Sequence, residues 1–270
     1  MREASWETLY RWDWFHRDAW RRTFRDWKRG KFGGSSACFA EIVRELGGGP
    51  TLDCSCGLGL KTIVMKEMGV DIIGSDRCAF AVEKARELAA SEGLDIKYFT
   101  SSWAALPKRT PQRFAGIFND ALTWTLTREE FEASLRGLHE ALDPGGVLVF
   151  FGAEEGGRDD PDFQRELLLE SCGREPKFRI EWTHEAEGTR CTSIAVRELG
   201  DTFFDEHHLY LIEEAGKQRL ETATIRQPVL WHWPLLVELF ESAGFSKLET
   251  RTFAGRARDG GTVKLNVATK

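Results

Sequence analysis

The sequence predicts an α/β fold in which a doubly wound, mostly parallel sheet is interrupted late in the chain by an antiparallel meander. Three observations predict it. Segments of strand and helix period alternate from residue 51 to residue 151, the order that builds a parallel sheet with helices on both faces. Four extended segments then follow one another through turns far shorter than the dozen or so residues of a parallel crossover. A last helix and two strands around Asp259-Gly260-Gly261 close the chain as a hairpin.

Taken in order, residues 1–46 read as helical, with Phe39, Ile42, Val43 and Leu46 at helical spacing and Gly47-Gly48-Gly49-Pro50 as the stop. Strand Thr51–Cys54 enters the glycine turn Cys56-Gly57-Leu58-Gly59, and a helix over Leu60–Met68 ends at Gly69. Strand Val70–Ser75, helix Ala79–Ser91 and strand Ile96–Thr100 follow. A loop through Pro107 and Pro111 leads to strand Phe114–Asn119 and helix Arg128–Leu142. Asp143-Pro144-Gly145-Gly146 reads as a turn into strand Val147–Phe151. Beyond a polar helix near Pro161–Ser171 come the meander segments Lys177–Ala186, Thr189–Glu198, Thr202–Glu213 and Gln218–Gln227. Helix Pro234–Ser242 and strands Phe245–Phe253 and Thr262–Thr269 complete the chain.

The composition fits a soluble enzyme: 270 residues, 41% hydrophobic, 30% charged, net charge −6. Such a chain builds a core without staples, and disordered and collagen-like classes are excluded. No apolar run approaches the roughly 20 residues that cross a bilayer, and the N-terminus carries Arg, Asp and Trp instead of a signal core. A cytoplasmic location and no membrane partner are therefore expected. The six cysteines are scattered and expected to be reduced, and Cys54 and Cys56 lack the second ligand pair of a zinc site. No metal is expected. Five of the ten tryptophans (Trp6, Trp12, Trp14, Trp20, Trp27) fall in the first 27 residues, a stretch that is locally basic.

In open α/β sheets, ligands sit beyond the carboxyl ends of the strands where the strand order reverses, which is where the first glycine turn belongs. Gly57 and Gly59 let backbone approach a ligand, and Asp76 ends the next strand, 19 residues after Gly57, where a carboxylate accepts from a ribose diol. The third glycine of a dinucleotide fingerprint is replaced by Thr62. Leu60 stands where a P-loop has glycine before Lys-Thr. An acidic residue at the end of the first strand, Asp53, suits a cation better than a pyrophosphate.

Leu52-Asp53-Cys54-Ser55-Cys56-Gly57-Leu58-Gly59, Gly74-Ser75-Asp76 and Leu142-Asp143-Pro144-Gly145-Gly146-Val147-Leu148 resemble the successive motifs of class I S-adenosylmethionine-dependent methyltransferases. The resemblance spans Glu41 to Phe151 and implies a Rossmann-like, seven-stranded sheet with an antiparallel terminal hairpin, and S-adenosyl-L-methionine as cofactor. It divides the chain into an N-terminal helical lid (1–40), a cofactor-binding core (41–155), an inserted helix and meander roofing the substrate (156–230), and a closing helix and hairpin (231–270). It implies that the loop from Asp53 through Cys54, Ser55 and Gly57 to Gly59 wraps the methionine portion. Asp76 would hold the ribose and Arg77 would lie near the adenine. Ser102 and Trp103 take the adenine-edge position, where family members often carry an acid; core packing is the competing role for Trp103. Asn119 and Asp120 follow the fourth strand, where acceptor meets methyl group.

Asn119-Asp120-Ala121-Leu122 lacks the Pro-Pro-aromatic sequence of base-modifying enzymes, and the acidic net charge opposes a nucleic-acid footprint. An RNA methyltransferase is therefore the weaker alternative, and a small polar molecule is the expected partner. Asp120 to Trp124, Trp103 and the meander look most similar to glycine and sarcosine N-methyltransferases, so an amine acceptor is expected. An arginine usual after the fifth strand is replaced by Glu154-Glu155, two acids that favour a cationic acceptor or form a solvated loop. The acceptor-contact candidates are Tyr10, Trp124, His207, Tyr210 and Arg226. His207, His208 and His232 are the candidate bases that an O-methyltransferase, the other small-molecule alternative, would use. A non-catalytic cofactor-binding partner subunit and a homo-oligomer are also left open. Tyr10, Trp12, Trp14, Trp20 and Trp27 read as a lid and its packing, with Trp6, Trp20 and Trp27 on a core-facing stripe. Among Arg21, Arg25, Lys28 and Arg29 one is expected to meet the cofactor carboxylate.

Overall fold

A computed structural model of the chain describes residues 3–17, 34–155, 166, 177–228, 231–257 and 260–270. Trp20, Trp27, Arg21, Arg25, Lys28, Arg29 and nearly all of the helix expected near 161–171 lie outside the described residues. The N-terminal part forms α1 (Glu3–Phe15) and α2 (Gly34–Glu45). Helix α2 stops because Gly47 and Gly48 adopt φ of 87° and 82°, which bends the chain so that the Gly48 amide donates back to Val43 at 3.0 Å.

The core runs β1 (Thr51–Asp53), α3 (Leu60–Glu67), β2 (Ile72–Asp76), α4 (Ala79–Ser91), β3 (Tyr98–Thr100), α5 (Leu106–Arg109), β4 (Phe114–Asn119), α6 (Arg128–Ala141) and β5 (Leu142–Phe150). Then come the meander strands β6 (Phe178–Ala186), β7 (Thr189–Leu199), β8 (Phe203–Glu214) and β9 (Lys217–Pro228), followed by α7 (Trp233–Ser242), β10 (Lys247–Phe253) and β11 (Val263–Thr269). The large sheet has seven strands in the order β3-β2-β1-β4-β5-β11-β10, with β11 antiparallel to both neighbours. Strand order reverses between β1 and β4, which places a ligand site at their carboxyl ends.

Both sheet faces are covered. Phe131, Leu135 and Leu138 of α6 pack with Leu236 and Phe240 of α7 on one face. Phe39, Ile42 and Val43 of α2 cover Phe118 and Val149 on the other. Helix α6 starts where the Thr127 hydroxyl accepts from the Glu130 amide at 3.2 Å, with Glu129 and Glu130 in the positive first turn.

Two expectations change. The Asp143–Gly146 segment is an excursion within β5 and not a turn before it: Phe114 pairs Leu142, and the ladder resumes with Gly116 against Val147. Extra residues on one strand bulge out, and the Lys270 ammonium, donating to the Leu142 carbonyl at 2.8 Å, secures the point of departure. The loop at Pro107 holds the short helix α5, where proline in the first turn forfeits no bond.

The meander is a separate four-stranded sheet in the order β6-β7-β8-β9. Two of its three hairpins turn on Glu187-Gly188 (φ 54° and 77°) and Ala215-Gly216 (φ 48° and 74°), two-residue loops whose left-handed pairs match the strand twist. Helix α1 holds the meander to the core. Trp12, 5% exposed, stacks on Tyr210 with ring centroids 5.7 Å apart and donates its indole N–H to Glu221 at 2.9 Å.

Candidate active site

A cavity of about 810 Å³ opens over the carboxyl ends of β1, β2 and β3 and the loop after β4. Its floor is the turn Cys54 to Leu58, where Gly57 holds φ +50° and a Cβ would lie 3.2 Å from the Tyr10 ring. Backbone there is bare toward the cavity. Gly59 serves another purpose, since a Cβ on it would come 2.9 Å from both Ala85 and the Tyr98 hydroxyl; its freedom lets α3 pack on α4.

Asp76 closes one side. Its two carboxylate oxygens accept from the Gly57 amide at 3.0 Å and the Cys78 amide at 2.9 Å, leaving lone pairs for a diol. Burial raises its pKa, while the two amides oppose that rise. Opposite stands Asp120, which accepts from the Ser55 hydroxyl at 2.8 Å and pairs with Lys61. Helix α1 roofs the space with Trp6 and Tyr10, stacked at 5.7 Å, and Trp6 lies 5.9 Å from Trp124. Burial first, then Asp76, keeps the Tyr10 hydroxyl protonated far above its ordinary range, so it is a neutral donor.

This donor set fits an organic cation bearing a ribose. The bare Gly57 backbone forms the cradle, and Asp76 supplies negative charge, while Asp120 is balanced by Lys61. Leu60 stands where a phosphate-binding P-loop carries glycine, so that loop pattern is incomplete. Among the described residues no group of three or more His, Cys, Asp or Glu side chains is placed to hold a metal ion. The five described cysteines are free thiols. No described helix is long and apolar enough to cross a membrane.

Of the cofactor candidates, Cys54, Ser55, Gly57, Asp76, Arg77, Ser102, Trp103 and Asp120 line the cavity. Asp53, Gly59 and Asn119 lie behind it. Asp53 accepts from the Thr62 hydroxyl at 2.7 Å, and burial pushes its carboxyl up to about 7, so it shapes the turn from beneath. The Asn119 carbonyl accepts from the Ala121 amide at 3.0 Å while its buried amide nitrogen has no partner. Trp103 donates its indole N–H to the Cys54 carbonyl at 2.7 Å, tying the end of β3 to the end of β1.

Of the acceptor candidates, Tyr10 and Trp124 line the cavity. Tyr210 and His208 line a second cavity of about 230 Å³ between α1 and the inner meander face, together with Asp13, Glu181, Trp182 and Glu206. His207 points the other way, as neighbours on a strand must, and meets Thr224 at 3.0 Å and Glu198 at 3.3 Å. Arg226 forms two bonds to Asp205, at 2.7 and 2.6 Å, over the Phe203 ring. His232 precedes α7. None of these three lines either cavity.

One sequence reading is thus corrected, and of the two open for Glu154 and Glu155 the loop reading holds. Trp6 faces both cavities instead of the core, and Trp12 is the buried anchor, because Trp6, Tyr10 and Asp13 share one helix face at spacings of four and three. Glu154 and Glu155 are drawn away from the cavity by Lys264 and Thr250 of the hairpin. The acids that do meet an open cavity beside Trp6 and Trp124 are Asp13, Glu181 and Glu206. Asp13 was visible in the Trp6–Tyr10–Asp13 spacing; Glu181 and Glu206 carried no local signal.

Comparison with known proteins supports this geometry. Residues 51–146 match the family model described as a methyltransferase domain. The ubiquinone biosynthesis O-methyltransferase of Ruegeria pomeroyi is 26% identical over 204 residues, covering 72% of this chain and 73% of that protein. Among solved structures, the sugar N-methyltransferase KedS8 from Streptoalloteichus sp. has a TM-score of 0.62 at 16% identity, covering 93% of this chain and 92% of its own. S-adenosylmethionine-bound CalS10, an amino pentose methyltransferase from Micromonospora echinaspora, gives 0.59 at 16% identity, covering 93% and 96%. At such identities the structural likeness speaks to the fold, and the matched domain to the chemistry. The strand order, the cation-suited cradle and the domain over residues 51–146 lead to one conclusion: this chain is an S-adenosylmethionine-dependent methyltransferase of the class I fold.

Proposed function

We propose that the chain methylates the nitrogen of a small amine. The observation that carries this reading is the acid-lined cavity that meets the cofactor cavity at Trp6 and Trp124, with Asp13, Glu181 and Glu206 on its wall. Carboxylates between aromatic faces favour an ammonium ion over a neutral hydroxyl compound. KedS8, a sugar N-methyltransferase, and CalS10, an amino pentose methyltransferase, agree with an amine. The likeness to glycine and sarcosine N-methyltransferases is retained only as far as an amine acceptor, because Glu154 and Glu155 stand where a carboxylate clamp would be.

In this reading Asp76 holds the ribose hydroxyls, the Cys54 to Gly57 backbone cradles the methionine end, and Ser102, Trp103 and Arg77 border the adenine. Bound S-adenosylmethionine supplies an electrophilic methyl group on a sulfonium. The chain's own residues place the nitrogen in line with it and exclude water, and positioning of this kind supplies most of the rate. Trp6 and Tyr10 close the site from above.

A second reading, O-methylation, is favoured by one observation: His208 bonds Glu206 at 3.0 Å inside the acceptor-side cavity, an arrangement that could deprotonate a hydroxyl. The Ruegeria relative is named an O-methyltransferase. Incubation with methyl-labelled S-adenosylmethionine and matched pairs of amines and alcohols or phenols decides between them. Label transferred to the amines is expected; transfer confined to hydroxyl compounds would replace the amine reading with the second.

A further inference from the structure

Each carboxylate of the 230 Å³ cavity has a different charge environment. Glu206 bonds His208 and Arg197, both at 3.0 Å, and those bonds hold it down to about 2. Glu181 accepts from Arg179 at 3.0 Å. Asp13, on the lid helix α1, has burial as its leading influence, which with Glu181 pushes its carboxyl up to about 6 against the pull of His208. The titratable groups that line the cavity with it are Glu181 from β6 and Glu206, His208 and Tyr210 from β8. His16 stacks on Trp182 and meets His184 edge-on, neither histidine lining the cavity, and Glu221 of β9 is held by Trp12 and Arg11.

The walls are aromatic: Trp6, Trp124, Trp182 and Tyr210. An ammonium ion is stabilised by ring faces as well as by carboxylates. The space is below the ~300 Å³ at which pockets for drug-sized ligands begin, so it admits a compact amine or the amine-bearing end of a larger one. Because Trp6 and Trp124 border both cavities, a nitrogen seated here approaches the cofactor cavity past those two rings.

We propose that this cavity binds the acceptor as an ammonium ion and that Asp13 is the residue that pairs with the ion and takes its proton. The inference rests on the amine reading above. An ammonium nitrogen has no lone pair, so one N–H bond must break first. Its proton passes to an Asp13 carboxylate oxygen, and the electron pair left on nitrogen forms the bond to the methyl carbon. The carbon–sulfur bond breaks with its pair staying on sulfur, giving S-adenosylhomocysteine and a methylated ammonium ion, and Asp13 returns its proton to solvent. Burial lowers the pKa of the ammonium while raising that of the carboxyl, which brings donor and acceptor together.

The test uses the full chain saturated with S-adenosylhomocysteine, titrated with cyclohexylamine, glucosamine and ethanolamine and with cyclohexanol as the neutral control. At least one amine binds and cyclohexanol does not. Asp13→Asn weakens amine binding by roughly 30-fold, the effect of losing a charged partner, and leaves S-adenosylhomocysteine affinity intact. The amine kcat/KM falls along an acid limb near pH 6 in the wild type, and that limb is absent in Asp13→Asn. Should Asp13→Asn fail to fold, Asp13→Ser is held to the same outcomes. Amines that bind and turn over equally well in the folded variant overturn the role of Asp13 and leave the amine reading standing. If no amine binds or is methylated, both fall.

Discussion

At the scale of single residues, the site depends on two groups that the backbone itself positions. Asp76 is aimed by the Gly57 and Cys78 amides, so its carboxylate faces the cavity with lone pairs unused. Asp76→Ala removes a charged acceptor, where each such hydrogen bond contributes about 1.5–3 kcal/mol. Calorimetry with S-adenosylmethionine should show at least a tenfold loss of affinity. Gly57→Val should be as damaging for a different reason, because φ +50° disfavours any β-branched residue and its Cβ meets Tyr10. Wild-type affinity in both variants would remove the cofactor from this cavity. Gly57, Asp76 and Asp120 could be read from motif and spacing. Trp6 and Asp13 were in plain view as a helical face, yet which tryptophan of the cluster faced the ligand depended on how α1 is rotated, and that is set by Trp12 entering the meander.

Among the elements, α1 stands out because it borders both cavities while being held by β8 and β9. Trp12→Phe keeps the ring but deletes the bond to Glu221. Stability should fall by about 1 kcal/mol, read by urea unfolding, and affinity for S-adenosylmethionine should fall with it as the roof loosens. A stability loss without any change in affinity would separate the lid from cofactor binding. The meander offers a converse change. Ala215 occupies a left-handed position, φ 48°, in a turn that favours Asn-Gly. Ala215→Asn should raise stability by roughly 0.5–1 kcal/mol, with turnover unchanged since the turn lies far along the hairpin from both cavities. The four strands and their two tight turns were legible from alternation and turn residues. The bulged start of β5 was not, because Asp143-Pro144-Gly145-Gly146 has turn chemistry and only the neighbouring strand and Lys270 hold it in the ladder.

For the whole molecule, buried carboxyls give stability a predictable dependence on pH. Asp53 and Asp13 bind protons more tightly folded than unfolded, with values raised to about 7 and about 6. Their contribution is full below about pH 4 and is lost as pH rises through 6 to 7. Glu206 runs the other way: held down to about 2 by His208 and Arg197, it contributes fully above the ordinary carboxylate range and ceases to as pH falls toward 2. The midpoint of thermal unfolding should therefore peak near pH 4–5 and decline toward pH 8, and Asp53→Asn should flatten that decline. A flat profile in the wild type would mean that Asp53 and Asp13 are better solvated than their burial indicates. Saturating S-adenosylhomocysteine should raise the midpoint at every pH by mass action.

By itself the sequence determined the fold class and the alternation of strands and helices, because periodicity, glycine turns and an acid at a strand end are local and need no neighbour to be read, whereas the order of the seven strands came from the tertiary structure. It also determined that four later strands follow one another antiparallel. Only the tertiary structure decided what the inner face of that meander meets. Strand parity turned His207 outward and His208 inward, salt links drew Glu154 and Arg226 and hydrogen bonds to Thr250 drew Glu155 to other partners, and the docking of Trp12 on Tyr210 rotated Trp6 and Asp13 toward the cavities. These outcomes follow from contacts between segments up to about two hundred residues apart, and no local pattern of residues encodes which of two faces such a contact will select.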